Sequence, residues 1–377
     1  MQAYLDNAAT TKPCDKAVSA AVSALTETYG NPSSLHRAGF LAEELVTEAR
    51  KNIASALSTQ PECVIFTSGA TESNNLAIIG SARTYGKRKK KIVTTTIEHP
   101  SVARTVDYLE EQGYEVVRIA PNHNGEIIPD DIVSAVDDNT FMVTCMLVNN
   151  ETGYILPLKK AFTAIKRLYP ECITHADCAQ AFLKVPIKFS ELSADMISVS
   201  GHKIHAPKGI GALVIKKGVR LLPIMFGGGQ EKGIRSGTES VPLISAFGET
   251  VKEYYPTLSN AINNANEMNG YLREKLAKLP DISINSTEDI CSPFIMNFSV
   301  VGIRSEIMLH FLESKGVYVS SGSACSKGAK SSVLSEFRIT DECIDSALRV
   351  SFSRFTTWQD IDMLVNGIID GQQSISR

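Results

Sequence analysis

Between about residue 40 and residue 200 the chain alternates short apolar runs with longer amphipathic ones, and this alternation limits the fold more than any other feature. Leu41, Leu45, Ala49, Ile53 and Leu57 recur at four-residue intervals among Glu, Lys and Arg, the spacing of one buried helical face. Cys63-Val64-Ile65-Phe66 then reads as a strand and runs through Thr67-Ser68-Gly69-Ala70-Thr71-Glu72 into another helical segment. The same pattern predicts strands at 92–97, 115–119, 141–147, 172–176 and 195–199, with helices at 101–112, 129–136 and 158–168. Helices between successive strands indicate an α/β fold, a mostly parallel sheet covered by helices. Its ligands should lie beyond the carboxyl ends of the strands.

After about residue 250 the texture changes. A long polar helix near 258–278 precedes a strand at 293–300, a helix at 304–315, strands at 317–320 and 347–352, and a last helix that Thr357 and Asp360 mark as capped. These elements suit a smaller α+β domain packed with the N-terminal arm, and 377 residues accommodate two domains. The formal net charge of -3 gives no global attraction for a polyanion, so no direct nucleic-acid partner is expected. The one basic run, Lys87-Arg88-Lys89-Lys90-Lys91, lies between a helix and a strand and reads as a solvated turn. No stretch approaches the roughly 20 apolar residues that span a bilayer. The eight cysteines are scattered without CxxC spacing, and the N-terminus shows no secretory pattern. A reducing, cytoplasmic setting with free thiols is therefore expected.

Several strand ends carry polar residues that make sense together. Ser68-Gly69-Ala70-Thr71 joins a strand to a helix, so its amides can face an anion, although this segment taken alone reads more readily as a purely structural turn. His99 follows the strand at 92–97. His175 and Asp177 end another, with Gln180 three residues beyond; helix capping or core hydrogen bonding is the plain alternative for His99 and Gln180. Lys203, in Ser200-Gly201-His202-Lys203, lies at the mouth of the run Met196-Ile197-Ser198-Val199. A lysine amine attacks an aldehyde only when unprotonated, and desolvation favours that form. An anion-binding turn, a histidine able to stack, an acid for a pyridine nitrogen and a strand-end lysine are the parts that hold pyridoxal 5'-phosphate, with Lys203 as its Schiff-base lysine.

Two further features point outward from that set. Arg349 sits inside the apolar run Leu348-Arg349-Val350-Ser351 and needs a partner, which a substrate carboxylate would supply. Cys325 lies in Ser320-Ser321-Gly322-Ser323-Ala324-Cys325-Ser326-Lys327-Gly328, a small polar stretch unlike the surroundings of a core cysteine, with Lys327 favouring its thiolate. The segments Gly227-Gly228-Gly229-Gln230-Glu231 and Arg235-Ser236-Gly237-Thr238 read equally as backbone turns or as a phosphate or intersubunit contact.

The sequence resembles the cysteine desulfurases of the class V aminotransferase family, of the iron–sulfur-cluster and nitrogen-fixation type. The resemblance rests on runs from Tyr4-Leu5-Asp6-Asn7-Ala8-Ala9-Thr10-Thr11 through Phe66-Thr67-Ser68-Gly69-Ala70-Thr71-Glu72-Ser73-Asn74, Glu98-His99, Val148-Asn149-Asn150-Glu151-Thr152-Gly153 and His202-Lys203 to Ser321-Gly322-Ser323-Ala324-Cys325, in order over nearly the whole chain. It implies the pyridoxal-phosphate transferase fold of type I: a large domain (15–255) with a mixed, mostly parallel seven-stranded sheet, and a small domain (1–14 and 256–377) carrying the catalytic cysteine. It also implies a homodimer. By resemblance, Lys203 binds the cofactor and later carries the proton, and His99 stacks on the ring and assists proton transfer. Asp177 binds the ring nitrogen and Gln180 the ring oxygen. Gly69, Ala70, Thr71, Ser200 and His202 cradle the phosphate, joined by Thr238 of the other subunit. Asn150 and Arg349 orient the substrate.

The implied reaction converts L-cysteine to L-alanine and leaves its sulfur on Cys325 as a persulfide, for a sulfur-accepting protein such as an iron–sulfur scaffold or a tRNA-thiolation enzyme. Selenocysteine cleavage, or another elimination or transamination on the same cofactor, is the nearest alternative. A zinc module built on His202 and His205 has poor spacing, and no metal is expected. The sequence departs from the family pattern at Cys178 and at His205, where alanine and an aromatic residue are frequent.

Overall fold

The computed structural model describes residues 2–321 and 331–375. Its strands in chain order are β1 (Ala3–Tyr4), β2 (Val64–Thr67), β3 (Lys91–Thr95), β4 (Glu115–Ile119), β5 (Thr140–Met146), β6 (Ile173–Asp177), β7 (Met196–Ser200), β8 (Gly211–Ile215), β9 (Ile282–Ile284), β10 (Ile295–Val300), β11 (Val317–Tyr318), β12 (Ser320–Ser321) and β13 (Ala347–Ser351). Seven of them form one sheet in the order β2-β8-β7-β6-β5-β3-β4. Only β8 is reversed, pairing antiparallel with both β2 and β7. This is the mixed, mostly parallel sheet of a type I pyridoxal-phosphate transferase fold.

The central strands β5 to β8 are buried at every position, because helices cover both faces. The sheet's residues divide by alternation: in β2, Val64 and Phe66 enter one core and Ile65 the other, as do Val143 and Met142 in β5. The anticipated elements fall within a few residues of those observed. Strand β8 is not announced by the alternation, since no helix connects it to β7. The helices Asp15–Thr26 and Val241–Tyr254 are likewise additions; Val241–Tyr254 packs against both Asp15–Thr26 and Arg37–Ala56 on one face of the sheet.

A second set of elements has its own core. Strands β12, β13, β10 and β9 form an antiparallel sheet, and β1 pairs in parallel with β11. Leu272, Met296, Phe298, Leu312, Leu348 and Leu364 form its interior, which Ala3 and Leu5 join from the other end of the chain. The last helix, Trp358–Ser374, starts with the capping box of Thr357 and Asp360 that the sequence suggests. The basic run forms a turn leading into β3, where Lys89 faces Glu171 and Lys91 faces Glu115 and Asp137. Among the described residues, no helix is long and apolar enough to cross a membrane, and no group of three or more His, Cys, Asp or Glu is placed to hold a metal.

Candidate active site

A cavity of about 670 Å³ opens beyond the carboxyl ends of β2, β5, β6 and β7, lined on its other side by the N-terminal arm and by β12 and β13. Its floor begins at the turn after β2. Gly69 adopts φ +153, a conformation that L side chains rarely take, and Ala70 opens the helix Ala70–Tyr85. Gly211 lets this turn sit directly on β8: a Cβ there would lie 2.7 Å from Gly69 Cα and 2.6 Å from the Val199 carbonyl oxygen. The Ser68 amide donates to Glu72 Oε2 (2.7 Å), and Glu72 is itself gripped by Arg235 (2.8 Å). Burial opposes ionisation of Glu72, but the hydrogen bonds from Arg235 and Ser68 hold its carboxyl below the usual range.

The amides of a helix N-terminus attract an anion here. Ser200 Oγ, buried beside the turn, has no hydrogen-bond partner among the described residues. Thr71, His202 and Ser200 line the same end of the cavity. An orphaned buried hydroxyl at a helix N-terminus fits a phosphate group.

Asp177 ends β6 and is 5% exposed. Its Oδ1 accepts from the Ala179 amide (2.9 Å) and its Oδ2 from Asn74 Nδ2 (2.7 Å), but no lysine, arginine or histidine forms an ion pair with it among the described residues. A buried carboxylate without a cation calls for one, and a protonated ring nitrogen meets that need. Asn74 also donates to Ser101 Oγ (2.8 Å), and the Ser101 hydroxyl lies 2.8 Å from His99 Nδ1. Since the Ser101 amide donates to the same Nδ1 (3.1 Å), that nitrogen is an acceptor and the proton of a neutral His99 lies on Nε2. Burial, with a further contribution from Lys203, lowers the His99 pKa against the opposing field of Asp177. His99 thus caps the helix Pro100–Glu111, the plain reading the sequence offered, and also lines the cavity.

Lys203 follows β7 in a single 3-10 turn, Gly201–Lys203. Its Nζ donates to the carbonyl oxygens of Ala8 (2.5 Å) and Ala9 (2.8 Å) on the N-terminal arm. Gln180 Nε2 donates to the same Ala8 carbonyl (2.8 Å). His202 Nδ1 lies 3.3 Å from Thr10 Oγ1, and burial followed by the charge of Lys203 pulls its pKa down to about 4. His205, where the family pattern favours an aromatic, packs edge-on against Phe355 at 4.7 Å and donates to the Lys12 carbonyl (2.8 Å).

Arg349, on β13, supplies the opposite wall. The sequence leaves its partner to a substrate, whereas the structure gives it one within the chain: Nη2 donates to Asp6 Oδ1 (2.8 Å) and Nη1 to the Asn150 carbonyl (2.9 Å). Nε is buried and has no partner among the described residues, so this guanidinium donor lacks an acceptor among them. Asn150 serves here through its backbone. Glu151 next to it accepts from Ser331 (2.6 Å), and burial raises its pKa.

The structure therefore gathers Lys203, His99, Gly69, Ala70, Thr71, Asp177, Gln180, Ser200, His202, Asn150 and Arg349 around one cavity. Thr238 is exposed and outside it, and Cys325 lies outside the described residues. The glycine-rich segment before Thr238 is tied down by Glu231, which pairs with both guanidinium nitrogens of Arg50 (2.8 and 2.9 Å) and accepts from the Phe66 amide (3.1 Å). Asp6, Asn74, Ser101 and the Ala8 and Ala9 carbonyls are site components that residue-by-residue reading misses. The available signal was Asn74, an amide side chain on the buried face of the helix beside Leu76, Ala77 and Ile78.

The chain matches the aminotransferase class-V family over residues 3–364. It is 37% identical over 365 residues to the cysteine desulfurase of Trichormus azollae, covering 96% of this chain and 90% of that protein. A solved NifS-like protein superposes on it with a TM-score of 0.94 at 32% identity, over all of both chains. The structure of SspA in complex with cysteine does so with a TM-score of 0.83 at 30% identity, over 95% of this chain and 100% of that one. The chain belongs to the aminotransferase class-V family. Within it, these relatives place the chain among the cysteine desulfurases and NifS-like proteins.

Proposed function

We propose that this protein is a pyridoxal-phosphate-dependent cysteine desulfurase, which converts L-cysteine to L-alanine and retains the sulfur as a persulfide on Cys325. The observation that carries this reading is the span of one cavity, from the orphaned Ser200 hydroxyl past Asp177 and Lys203 to the unfilled Nε of Arg349. Phosphate, ring, amino group and carboxylate each find a complementary group along it.

The cofactor, when bound, supplies an electron sink for the pair left by the departing α-proton. Asp177 holds the positive charge at the ring nitrogen, and Asn74 and the Ala179 amide keep its carboxylate oriented. Ser200, Thr71, His202 and the turn at Gly69 and Ala70 retain the phosphate. Arg349 binds the substrate carboxylate, which fixes the α-carbon toward Lys203. Lys203 accepts the α-proton at Nζ and returns it. His99, whose pKa burial lowers, would lie against the ring and could pass a proton through Nε2. The Cys325 thiolate attacks the substrate sulfur; the S–S bond forms as the C–S bond breaks, and the β-carbon takes up a proton to complete alanine. Cysteine and one enzyme thiol thus yield alanine and one enzyme persulfide, without an external oxidant.

In this reading residues 15–255 form the cofactor-binding domain, and residues 1–14 with 256–377 form the domain that carries Cys325, a division supported by the second core, which draws only on 1–14 and 256–377, while Ala8, Cys14, Ile295 and Val333 join the first. Thr238, exposed on this chain, completes the phosphate site of a second subunit in a homodimer. The seven cysteines of the described residues are all free thiols, which suits a reducing cytoplasm, and an iron–sulfur scaffold or tRNA-thiolation enzyme would receive the sulfur. The test is intact mass and peptide mapping after brief L-cysteine exposure. One added sulfur should map to Cys325, and Cys325→Ser should lose both it and alanine formation. Unchanged persulfide formation by Cys325→Ser would overturn the role of that thiol, and selenocysteine cleavage without cysteine turnover would assign the other substrate.

A further inference from the structure

Lys184 is a buried lysine for which the mechanism above has no use. It is 6% exposed, and its Nζ makes one side-chain hydrogen bond, to Gln180 Oε1 at 3.0 Å. No carboxylate pairs with it among the described residues, an unusual condition for a lysine held away from water. Its surroundings increase that cost: Lys203 and Arg349 are the charged groups that act on it, and both are cations. Such a group persists in a folded protein only where its hydrogen bond is worth keeping.

The bond matters because of what it does to Gln180. An amide side chain presents an acceptor at one end and a donor at the other, and rotation about its last bond exchanges them. Here Oε1 is committed to Lys184 and one proton of Nε2 to the Ala8 carbonyl. Gln180 lines the cavity, so the second Nε2 proton is what it can offer there. Burial, with Lys203 and Arg349 adding to it, pulls the Lys184 pKa down to about 7; its protonated form cannot accept a hydrogen bond, so against that form the flipped amide would set two donors together, and in either form it would turn Oε1 onto the Ala8 carbonyl oxygen.

We infer that Lys184 is a positioning residue that locks the Gln180 amide with its donor toward the cavity, and so selects an acceptor oxygen on the cofactor ring in its anionic form. The inference rests on the reading that pyridoxal phosphate occupies the cavity. It gives this buried cation a purpose that packing does not: a leucine or methionine of similar volume would fill the space at lower cost.

The experiment uses the purified full-length protein, wild type, Lys184→Met, Lys184→Gln, Gln180→Ala and the Lys184→Met/Gln180→Ala double variant. Each is stripped of cofactor and titrated with pyridoxal phosphate, following the visible absorption bands and the dissociation constant. Lys184→Met should weaken cofactor binding roughly tenfold, the scale of one hydrogen bond involving a charged group, and shift the balance between the bands of the anionic and neutral ring oxygen. Lys184→Gln retains a donor and should restore most of the wild-type spectrum. The double variant should match Gln180→Ala alone, because Lys184 acts through that amide. Additive effects of the two substitutions, or a wild-type spectrum in Lys184→Met, would overturn the inference. Should Lys184→Met not fold, Lys184→Ala takes its place under the same criteria: a spectrum and affinity shifted toward those of Gln180→Ala support the inference, and wild-type values overturn it. Failure of the wild type to bind the cofactor at all would instead overturn the functional reading.

Discussion

The two sides of the cavity are built differently. The cofactor side comes from consecutive strand ends of one parallel sheet, where Asp177, Ser200 and Lys203 lie within 27 residues of one another in sequence. The substrate side joins distant parts of the chain: Asp6 and Arg349, separated by 343 positions, form its central ion pair. The first is held by regular backbone hydrogen bonding and a two-sided core, the second by a few side-chain contacts between the N-terminal arm, β13 and the segment around Asn150. A site for a permanently held group needs rigidity, whereas a site that fills and empties at each turnover needs a charge whose partner can be shared.

This contrast makes its strongest prediction at Lys203. Lys203→Ala should lower alanine formation from L-cysteine by at least about a thousandfold, as expected for removing a group that both anchors the reacting centre and moves its proton. Borohydride treatment should fix cofactor mass to the wild type and not to the variant. Retention of more than a tenth of the activity would break the assignment of the strand-end side to chemistry.

The same contrast explains what could be read from sequence. Asp177 and Lys203 were legible because each follows a short apolar run whose strand character is local, and a strand end in this topology faces the cavity. Arg349 was legible only as a question: its place in an apolar strand demanded a partner, and the local sequence could not name Asp6. Asn74 and Ser101 escaped because their roles depend on meeting each other across the helices Ala70–Tyr85 and Pro100–Glu111. Lys184 was hidden for a similar reason. Nothing in its immediate sequence states that its ammonium will be buried against Gln180, four residues earlier. Strand β8 was missed because it breaks the helical alternation on which the reading relied, and yet it positions the phosphate turn through Gly211.

Asp6 offers a sharper test of the substrate side. Without its carboxylate, Arg349 keeps the Asn150 carbonyl but loses its charged partner, and its guanidinium is no longer fixed in plane. Asp6→Ala should raise KM for L-cysteine roughly tenfold, the cost of losing one charge-assisted hydrogen bond, while kcat falls less and the cofactor spectrum stays the same. An equal fall in kcat with unchanged KM would show that the arm acts on the cofactor side, through Ala8 and Ala9, and would erase the distinction drawn between the two walls.

The smallest predicted effect concerns stability and lies beneath the cofactor side. Glu98 is 4% exposed; its carboxyl accepts from the Met146 amide (2.8 Å) and lies 2.5 Å from Thr95 Oγ1. Burial pushes its pKa up to about 8, only partly opposed by those hydrogen bonds. The folded protein then binds a proton at Glu98 that the unfolded chain releases near the ordinary value of 4.5. Its contribution to stability is therefore complete below that value and is lost as pH rises toward about 8. His202 and His205, both lowered to about 4, act with the opposite sign: their folded forms shed protons first, so they add stability as pH rises from there to 6.5. The two trends overlap in the wild type, and comparison with Glu98→Gln separates them. Glu98→Gln keeps the size and an acceptor for Met146 but cannot ionise. Urea unfolding midpoints of the two proteins should diverge progressively between pH 5 and 8, with the wild type losing ground to the variant as pH rises. A difference independent of pH would mean that Glu98 keeps the same protonation state folded and unfolded, and that the floor of the cofactor side carries a charge rather than a neutral acid.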